Sequence, residues 1–123
     1  MDRKTKAKIR KAILGSIQKW EKICWHKGVD KKTENCPLCI ECDKYTTNDC
    51  HINKEFACPV WKISVQKSCI DSPYQNWLVH QENHHHKRGI FKIICPDCKL
   101  LAKTELDFLR DVLKKFDAGE IYD

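Results

Sequence analysis

The sequence predicts a small metal-stabilised domain that is mainly α-helical, with short β elements of the zinc-knuckle or zinc-ribbon type and an amphipathic helix at each end. Nine cysteines occur in 123 residues, and two pairs of them read Cys36-Pro-Leu-Cys39 and Cys95-Pro-Asp-Cys98. Residues 29–99 contain eight of the nine cysteines, and the part from about residue 30 to residue 60 is polar, rich in turn signals and poor in periodic apolar residues. Such a segment needs cross-links, because apolar burial alone cannot offset its ordering entropy. Helical apolar periodicity on both sides of this segment is the third observation.

The two terminal helices follow from apolar residues that recur at spacings of three and four. The first helix is predicted over residues 4–27, with Gly28 as the residue that stops it. The last helix is predicted within residues 100–118 and ends before Gly119. The first face comprises Ile9, Ile13, Ile17, Trp20 and Cys24, and the last comprises Leu101, Leu106, Leu109, Val112, Leu113 and Phe116.

Shorter elements are predicted between the terminal helices. A short helix begins near Cys36, with Asn35 as its N-cap and Pro37 in its first turn. Another helix begins with Ser72 as N-cap and Pro73 at the first helical position, and its inner side is formed by Tyr74, Trp77, Leu78 and Gln81. Residues 90–94 are the best strand candidate and lead into Cys95. The whole chain, 1–123, is predicted to be one domain with a basic helix (1–28), a cysteine-rich body (29–99) and a C-terminal helix (100–118).

The cysteine pairs have the spacing of metal ligands. Two thiolates three positions apart on a tight turn can reach one ion at about 2.3 Å, and a proline after the first cysteine restricts the turn. Eight cysteines suffice for two closed sites of four ligands each, holding one or two Zn²⁺ ions. Cys24 is left over and is interpreted as a core thiol. The predicted ligands are Cys36, Cys39, Cys42, Cys50, Cys58, Cys69, Cys95 and Cys98.

Three alternatives for the cysteines stay open on sequence alone. The run Cys36-x-x-Cys39-x-x-Cys42 is similar to the ligand pattern of a 4Fe–4S cluster in a redox or sensing protein, although Cys50 follows later than the ferredoxin spacing requires. A histidine can replace a cysteine, the candidates being His51, His80 and His84. Disulfides are expected only in a hyperthermophile or its virus.

An enzymatic role is less favoured by the sequence than a binding role. A site closed by four cysteines leaves no open coordination position for a substrate or an activated water. The chain also lacks the His-Glu-x-x-His arrangement of zinc peptidases. There is no apolar run of bilayer length and no signal peptide, so we expect a cytoplasmic protein, inside the host cell if viral, without a membrane partner.

The positive charge is concentrated in the first quarter of the chain. Residues 1–32 contain eleven Lys and Arg against three acids, a net charge of +8, whereas the rest contains twelve against fourteen, a net charge of −2. A lysine stripe on the first helix is either a solvated outer face or a surface that contacts the phosphates of nucleic acid or of a nucleoprotein partner. The four tryptophans, Trp20, Trp25, Trp61 and Trp77, are interpreted first as core residues around the metal sites. The alternative for Trp25, which lies next to the basic helix, is stacking on bases or on a partner. A protein-interaction module, such as a viral inhibitor, is the remaining alternative. The stripe comprises Lys4, Lys8, Lys11, Lys19 and Lys22.

Several motifs resemble those of a group of small cysteine-rich proteins encoded by phages, archaeal mobile elements and metagenomes. The matching pieces are Glu34-Asn-Cys-Pro-Leu-Cys39, Cys58-Pro-Val60 and Cys69-x-x-Ser-Pro-Tyr-x-x-Trp77, preceded by Gly28-Val-Asp30 after the first helix. The resemblance implies metal ligation by Cys36, Cys39, Cys58 and Cys69 but no particular activity. Glu55 stands where the group often has a cysteine. The remaining four ligand candidates look like additions, which suggests a second site.

Overall fold

The computed structural model describes residues 3–42, 59, 72–84 and 91–121, and these are mainly helical. The helices are α1 (Arg3–Cys24), α2 (Pro37–Cys42), α3 (Tyr74–His84) and α4 (Pro96–Asp117), and a 3₁₀ turn at Lys32–Asn35 precedes α2. The predicted helical character is therefore confirmed. The predicted strand is not formed in residues 91–94, its described part, where β pairing is limited to an isolated antiparallel bridge between Asp30 and Phe91.

Helix α1 ends three residues earlier than predicted, and the residue that stops it is His26. The His26 N–H donates to the Ile23 carbonyl at 3.0 Å and the Lys27 N–H donates to the Lys22 carbonyl at 2.8 Å, which is a Schellman motif. His26 takes the left-handed conformation at φ 62° that glycine usually provides. Gly28 has a different role, because a Cβ there would lie 3.0 Å from the Lys22 Cβ and 3.1 Å from the Ile23 nitrogen. Glycine at this position lets the chain fold back closely over the end of α1.

Both Cys-Pro-x-Cys motifs begin a helix, with the first cysteine at the N-cap and proline at the first helical position. The cap of α2 is thus Cys36, whose Sγ accepts the Cys39 N–H at 3.3 Å, and not Asn35. The Asn35 side chain instead accepts the Lys31 N–H and donates to the Val29 carbonyl, each at 2.9 Å. Helix α4 begins at Pro96, so the second motif is part of the helix rather than a strand-borne knuckle.

The end of α4 agrees with the sequence prediction, and α3 begins at Tyr74, one residue later than predicted. Ser72 Oγ accepts the Tyr74 N–H at 3.3 Å, as expected of an N-cap. Trp77 and Gln81 on the predicted inner side are fully buried. Gly119, at φ 76°, follows the last turn of α4.

Helices α1 and α4 form the main packed pair, and α2 and α3 pack against them. Ion pairs between Arg10 and Asp117 and between Glu21 and Arg110 show that α1 and α4 are antiparallel. None of the described helices has the length and apolar character needed to span a bilayer. The buried apolar core comprises Ile9, Ala12, Ile13, Ile17, Trp20, Ile23, Leu38, Trp77, Phe91, Cys98, Ala102, Leu106, Leu109 and Val112.

Candidate metal centre

A buried carboxylate joins the segment after α1 to the first turn of α3. Asp30 is 0% exposed, and its Oδ1 accepts from Lys19 Nζ at 2.8 Å and from the Lys32 N–H at 2.9 Å. Its Oδ2 accepts from the Tyr74 hydroxyl at 2.9 Å and from Trp77 Nε1 at 3.0 Å. Burial, and next the Asp30 charge, raise the pKa of Tyr74 well above its usual value, so the hydroxyl stays a donor. Four donors satisfy a charge that would otherwise be very costly to bury.

Asp30 and the groups of Lys19, Lys32, Tyr74 and Trp77 that donate to it are named the Asp30 hub. This hub fixes the position of α3. Trp77 packs edge-on against Trp20 of α1, with ring centroids 5.2 Å apart, and Tyr74 does so at 5.9 Å. The segment after α1 also bonds to Phe91 through its backbone, with the Asp30 N–H donating at 2.7 Å and the Asp30 carbonyl accepting at 3.0 Å. These contacts position both α3, which contains His80, and the segment that leads from Phe91 into Cys95.

Three potential metal ligands converge where α3 meets the start of α4. His80 Nε2 lies 3.4 Å from Cys95 Sγ, and Cys95 Sγ lies 3.5 Å from Cys98 Sγ. The ligand atoms of all three residues lie within 4.8 Å of one another, and Cys98 is fully buried. In a tetrahedral zinc site, bond lengths of about 2.3 Å to sulfur and 2.0 Å to nitrogen place neighbouring ligand atoms about 3.5–3.8 Å apart. The observed spacing therefore fits one small ion.

Gln81 supports this group from the side. It is fully buried, and its Nε2 donates to Cys98 Sγ at 3.0 Å while its Oε1 accepts the Lys92 N–H at 3.3 Å. A donor to the sulfur orients it and stabilises a thiolate, as second-layer partners of metal ligands commonly do. The sequence placed Gln81 on the inner side of its helix but did not assign it to the site. The sequence feature that could have assigned Gln81 to the site is a polar residue on the inner side of the helix, directly after His80.

The first cysteine pair lies outside this group. Cys36 receives the Cys39 N–H, and its pKa is raised well above the usual value, mainly by a hydrogen bond with the Cys39 side chain and next by burial. The two thiols are thus close together at the start of α2. Cys24 is half-buried, and burial raises the pKa of its thiol, as expected of a core cysteine. Among the described residues, no disulfide joins any of the five cysteine side chains, those of Cys24, Cys36, Cys39, Cys95 and Cys98.

The other predicted ligands are not tested by the structure. Cys50, Cys58, Cys69 and His51 lie outside the described residues, as do the side chains of Cys42 and His84. The division of ligands between two sites therefore stays a prediction. Of the three histidine candidates, His80 is the one whose side chain is described, and it lies beside Cys95 and Cys98.

The predicted lysine stripe divides into two parts. Lys4, Lys8, Lys11 and Lys22 are exposed, and among the described residues none of them forms an ion pair with a carboxylate. These four residues are named the lysine face. Lys19 differs, because only 11% of its side chain is exposed and its Nζ pairs with Asp30 at 2.8 Å. Lys19 is therefore part of the buried hub and not of the outer surface.

A second buried carboxyl group, that of Glu105, lies inside the helix packing. It is 4% exposed, and its Oε2 has no hydrogen-bond partner among the described residues. Burial, followed by the neighbouring Cys36 and Asp30, raises the pKa of Glu105 to about 8, against an opposing effect of Lys19. The carboxyl group is thus protonated in the folded protein at neutral pH.

This raised pKa predicts a stability that falls as pH rises from 4.5 to about 8. In that interval the folded state retains a proton that the unfolded state has lost, so the free energy of unfolding decreases with pH, by at most ~1.4 kcal/mol per unit. We expect Glu105→Gln to lack this contribution. The measurement is urea unfolding of variant and wild type across the interval, and the stability difference in favour of Gln should grow with pH. Glu105→Leu should show the same trend with a different offset, whereas a pH-independent difference for both would contradict the assignment.

Comparison of the chain with protein families, curated proteins and solved structures gives no match. The geometry of the described residues is therefore the basis for a functional assignment.

Proposed function

We propose that this protein is a non-enzymatic, zinc-stabilised helical module that binds nucleic acid, alone or within a nucleoprotein complex, through the outer face of α1. The observation that carries the proposal is the convergence of His80, Cys95 and Cys98 at ligand distances. A metal there joins α3 to α4 at the end of the core. An intracellular setting, in which thiols stay reduced, belongs to the same proposal.

Zinc is favoured over an iron–sulfur cluster by the mixed ligand set. Zinc accepts two cysteines and a histidine readily, whereas 4Fe–4S clusters are usually held by cysteine thiolates alone. The buried sulfur of Cys98 and the donor from Gln81 fit a structural site that needs no open position. Closure of a tetrahedral site also requires a fourth ligand. Purified protein should be colourless and release zinc, whereas a brown protein with visible absorbance would contradict this part of the proposal.

The lysine face is the feature that favours nucleic acid. The first turn of α1 contains no acid, and two of the three acids in residues 1–32 are engaged elsewhere, Asp30 with Lys19 and Glu21 with Arg110. The positive charge of the exposed lysines is thus not cancelled locally. Such a surface attracts phosphates and contributes affinity rather than base specificity.

Replacing the lysine face is expected to abolish most binding. Four phosphate contacts predict an affinity that falls on the order of 100-fold when the salt concentration rises fourfold. The variant with Lys4, Lys8, Lys11 and Lys22 changed to Gln should bind a labelled oligonucleotide weakly and with little salt dependence, as measured by fluorescence anisotropy. The matched control changes four exposed lysines elsewhere, with the same loss of charge: Lys92, Lys99, Lys103 and Lys114.

The control variant should keep a salt dependence close to that of the wild type. Equal losses in both variants would show that net charge alone matters and would contradict a defined binding face. Absence of wild-type binding at low salt would overturn the nucleic-acid proposal. In that case, retention of a host protein after nuclease treatment would favour a protein-interaction module instead.

A further inference from the structure

One aromatic side chain is exposed to an unusual degree. Trp25 is 72% exposed, whereas Trp20 and Trp77, the other described tryptophans, are 4% and 0% exposed. Tryptophan buries the largest apolar area of any side chain, so leaving it in water forgoes a substantial stabilisation. The ring of Trp25 therefore contributes little to the described core.

The backbone below this ring is firmly held. Trp25 is the C-cap of α1, and its N–H donates to the Glu21 carbonyl at 3.1 Å. The two hydrogen bonds of the Schellman motif close the chain directly after it, at His26 and Lys27. Gly28 then packs against the last turn of α1. The exposed ring of Trp25 is thus carried by a hydrogen-bonded backbone, so little backbone entropy is lost when a ligand contacts it.

Trp25 also continues the lysine face. Spacings of four and three from Lys4 lead through Lys8, Lys11 and Lys22 to Trp25, and the two intermediate positions are Gly15 and Gln18. Residues at these spacings lie on one side of a helix. This line of positions is about 30 Å long and carries no acid. At Gly15 it is covered by α2, since a Cβ there would lie 3.2 Å from the Pro37 side chain.

A shallow depression surrounds the tryptophan at the end of this face. It is lined by Gln18, Glu21, Lys22, Trp25 and Lys27. The carboxylate of Glu21 is paired with Arg110 at 3.3 Å, so the two lysines dominate the charge beside the ring. In such an arrangement the aromatic ring can stack on a base while the flanking ammonium groups bind the neighbouring phosphates.

We propose that Trp25 stacks on an unpaired base and that the preferred ligand of the lysine face is a single-stranded nucleic acid. This inference rests on the proposed function, because it presumes phosphate binding along α1. In a duplex, the flat faces of the bases are covered by their neighbours, so Trp25 cannot reach them without unstacking. In a single strand, a base can leave the stack and lie on the ring at little cost.

The test compares Trp25→Ala with wild type on two probes, a labelled oligothymidylate and a labelled duplex of equal length. Stacking contributes enough per base that we expect the variant to bind the oligothymidylate about tenfold more weakly. Its affinity for the duplex and the salt dependence on both probes should be unchanged, because the lysines are intact. Trp25→Phe should retain most of the single-strand affinity. Ile40→Ala, which removes another exposed apolar side chain, should have no effect.

Each outcome separates this inference from the proposed function. Loss of single-strand affinity in Trp25→Ala, with recovery in Trp25→Phe, supports stacking. Equal binding of both probes by wild type, with no effect of Trp25→Ala, overturns the inference and leaves phosphate binding standing. No binding of either probe overturns the proposed function. If Trp25→Ala leaves oligothymidylate binding intact but abolishes nuclease-resistant retention of a lysate protein, Trp25 contacts protein rather than bases.

Discussion

Asp30→Ala is expected to lower the free energy of unfolding by about 3–5 kcal/mol. The substitution removes a carboxylate that accepts four hydrogen bonds and leaves the charge of Lys19 unpaired at a site where 11% of its side chain is exposed. It also leaves the Trp77 indole N–H buried without an acceptor, and each such group costs about 1–3 kcal/mol. Chemical unfolding followed by circular dichroism measures the loss.

Asp117→Ala is the matched control for this substitution. Asp117 also accepts two hydrogen bonds from a basic side chain, from Arg10 at 2.9 and 3.1 Å, but both residues are exposed. Water and salt screen that pair, so we expect only a small change. Asp30→Asn should fall between the two, since the amide keeps one acceptor oxygen. Similar losses for Asp30→Ala and Asp117→Ala would show that the buried hub is not a major source of stability.

Removal of the proposed zinc ion is expected to have the second large effect. A ligand present at a thousand times its dissociation constant stabilises the folded state by about 4 kcal/mol, and this contribution disappears when a chelator withdraws the ion. Thermal unfolding of wild type with and without chelator should therefore show a large downward shift of Tm. Metal analysis of the native protein should show zinc released in a fixed ratio.

Substitutions at the centre should reproduce this effect and remove the chelator response. In Cys98→Ser and His80→Ala the Tm should be low from the start and should change little on chelation. Cys24→Ser, a thiol outside the group, should keep the full chelator shift. Cys36→Ser reports on the first pair separately, and a reduced but not abolished metal content would indicate two sites. An unchanged metal content in Cys98→Ser would contradict the assignment of the second pair.

The Asp30 hub and the candidate ligand group together show how segments far apart in the sequence meet in the structure. The segment Gly28-Val-Asp30 and the run Ser72-Pro-Tyr-x-x-Trp77 meet where Asp30 accepts from Tyr74 and Trp77. One helical turn further along α3, His80 and Gln81 contact the sulfurs of Cys95 and Cys98. Helix α3 is therefore held at its start by hydrogen bonds and towards its end by the candidate ligand group.

The sequence by itself determined which segments are helical and that four of the cysteines occur as two Cys-Pro-x-Cys pairs. Both features depend on residues a few positions apart. Apolar spacing placed the inner face of α1 correctly, and the proline after Cys36 marked the start of α2. The start of α4 was missed, because the helix begins at Pro96 and includes the motif that was predicted to be a knuckle after a strand. Local pattern was less reliable at the ends: it assigned the stop of α1 to Gly28, whereas a left-handed His26 ends the helix.

Only the tertiary structure decided which side chains come together. Lys19 shares the basic composition of its neighbours, yet a buried Asp30 draws it into the interior. Cys24 and Cys98 are both cysteines, but packing of α3 against α4 gives Cys98 a histidine and another thiol at ligand distance. Trp25 remains outside while Trp20 is covered by Tyr74 and Trp77. These outcomes depend on distances between residues far apart in the chain, and periodicity along one helix contains no information about them.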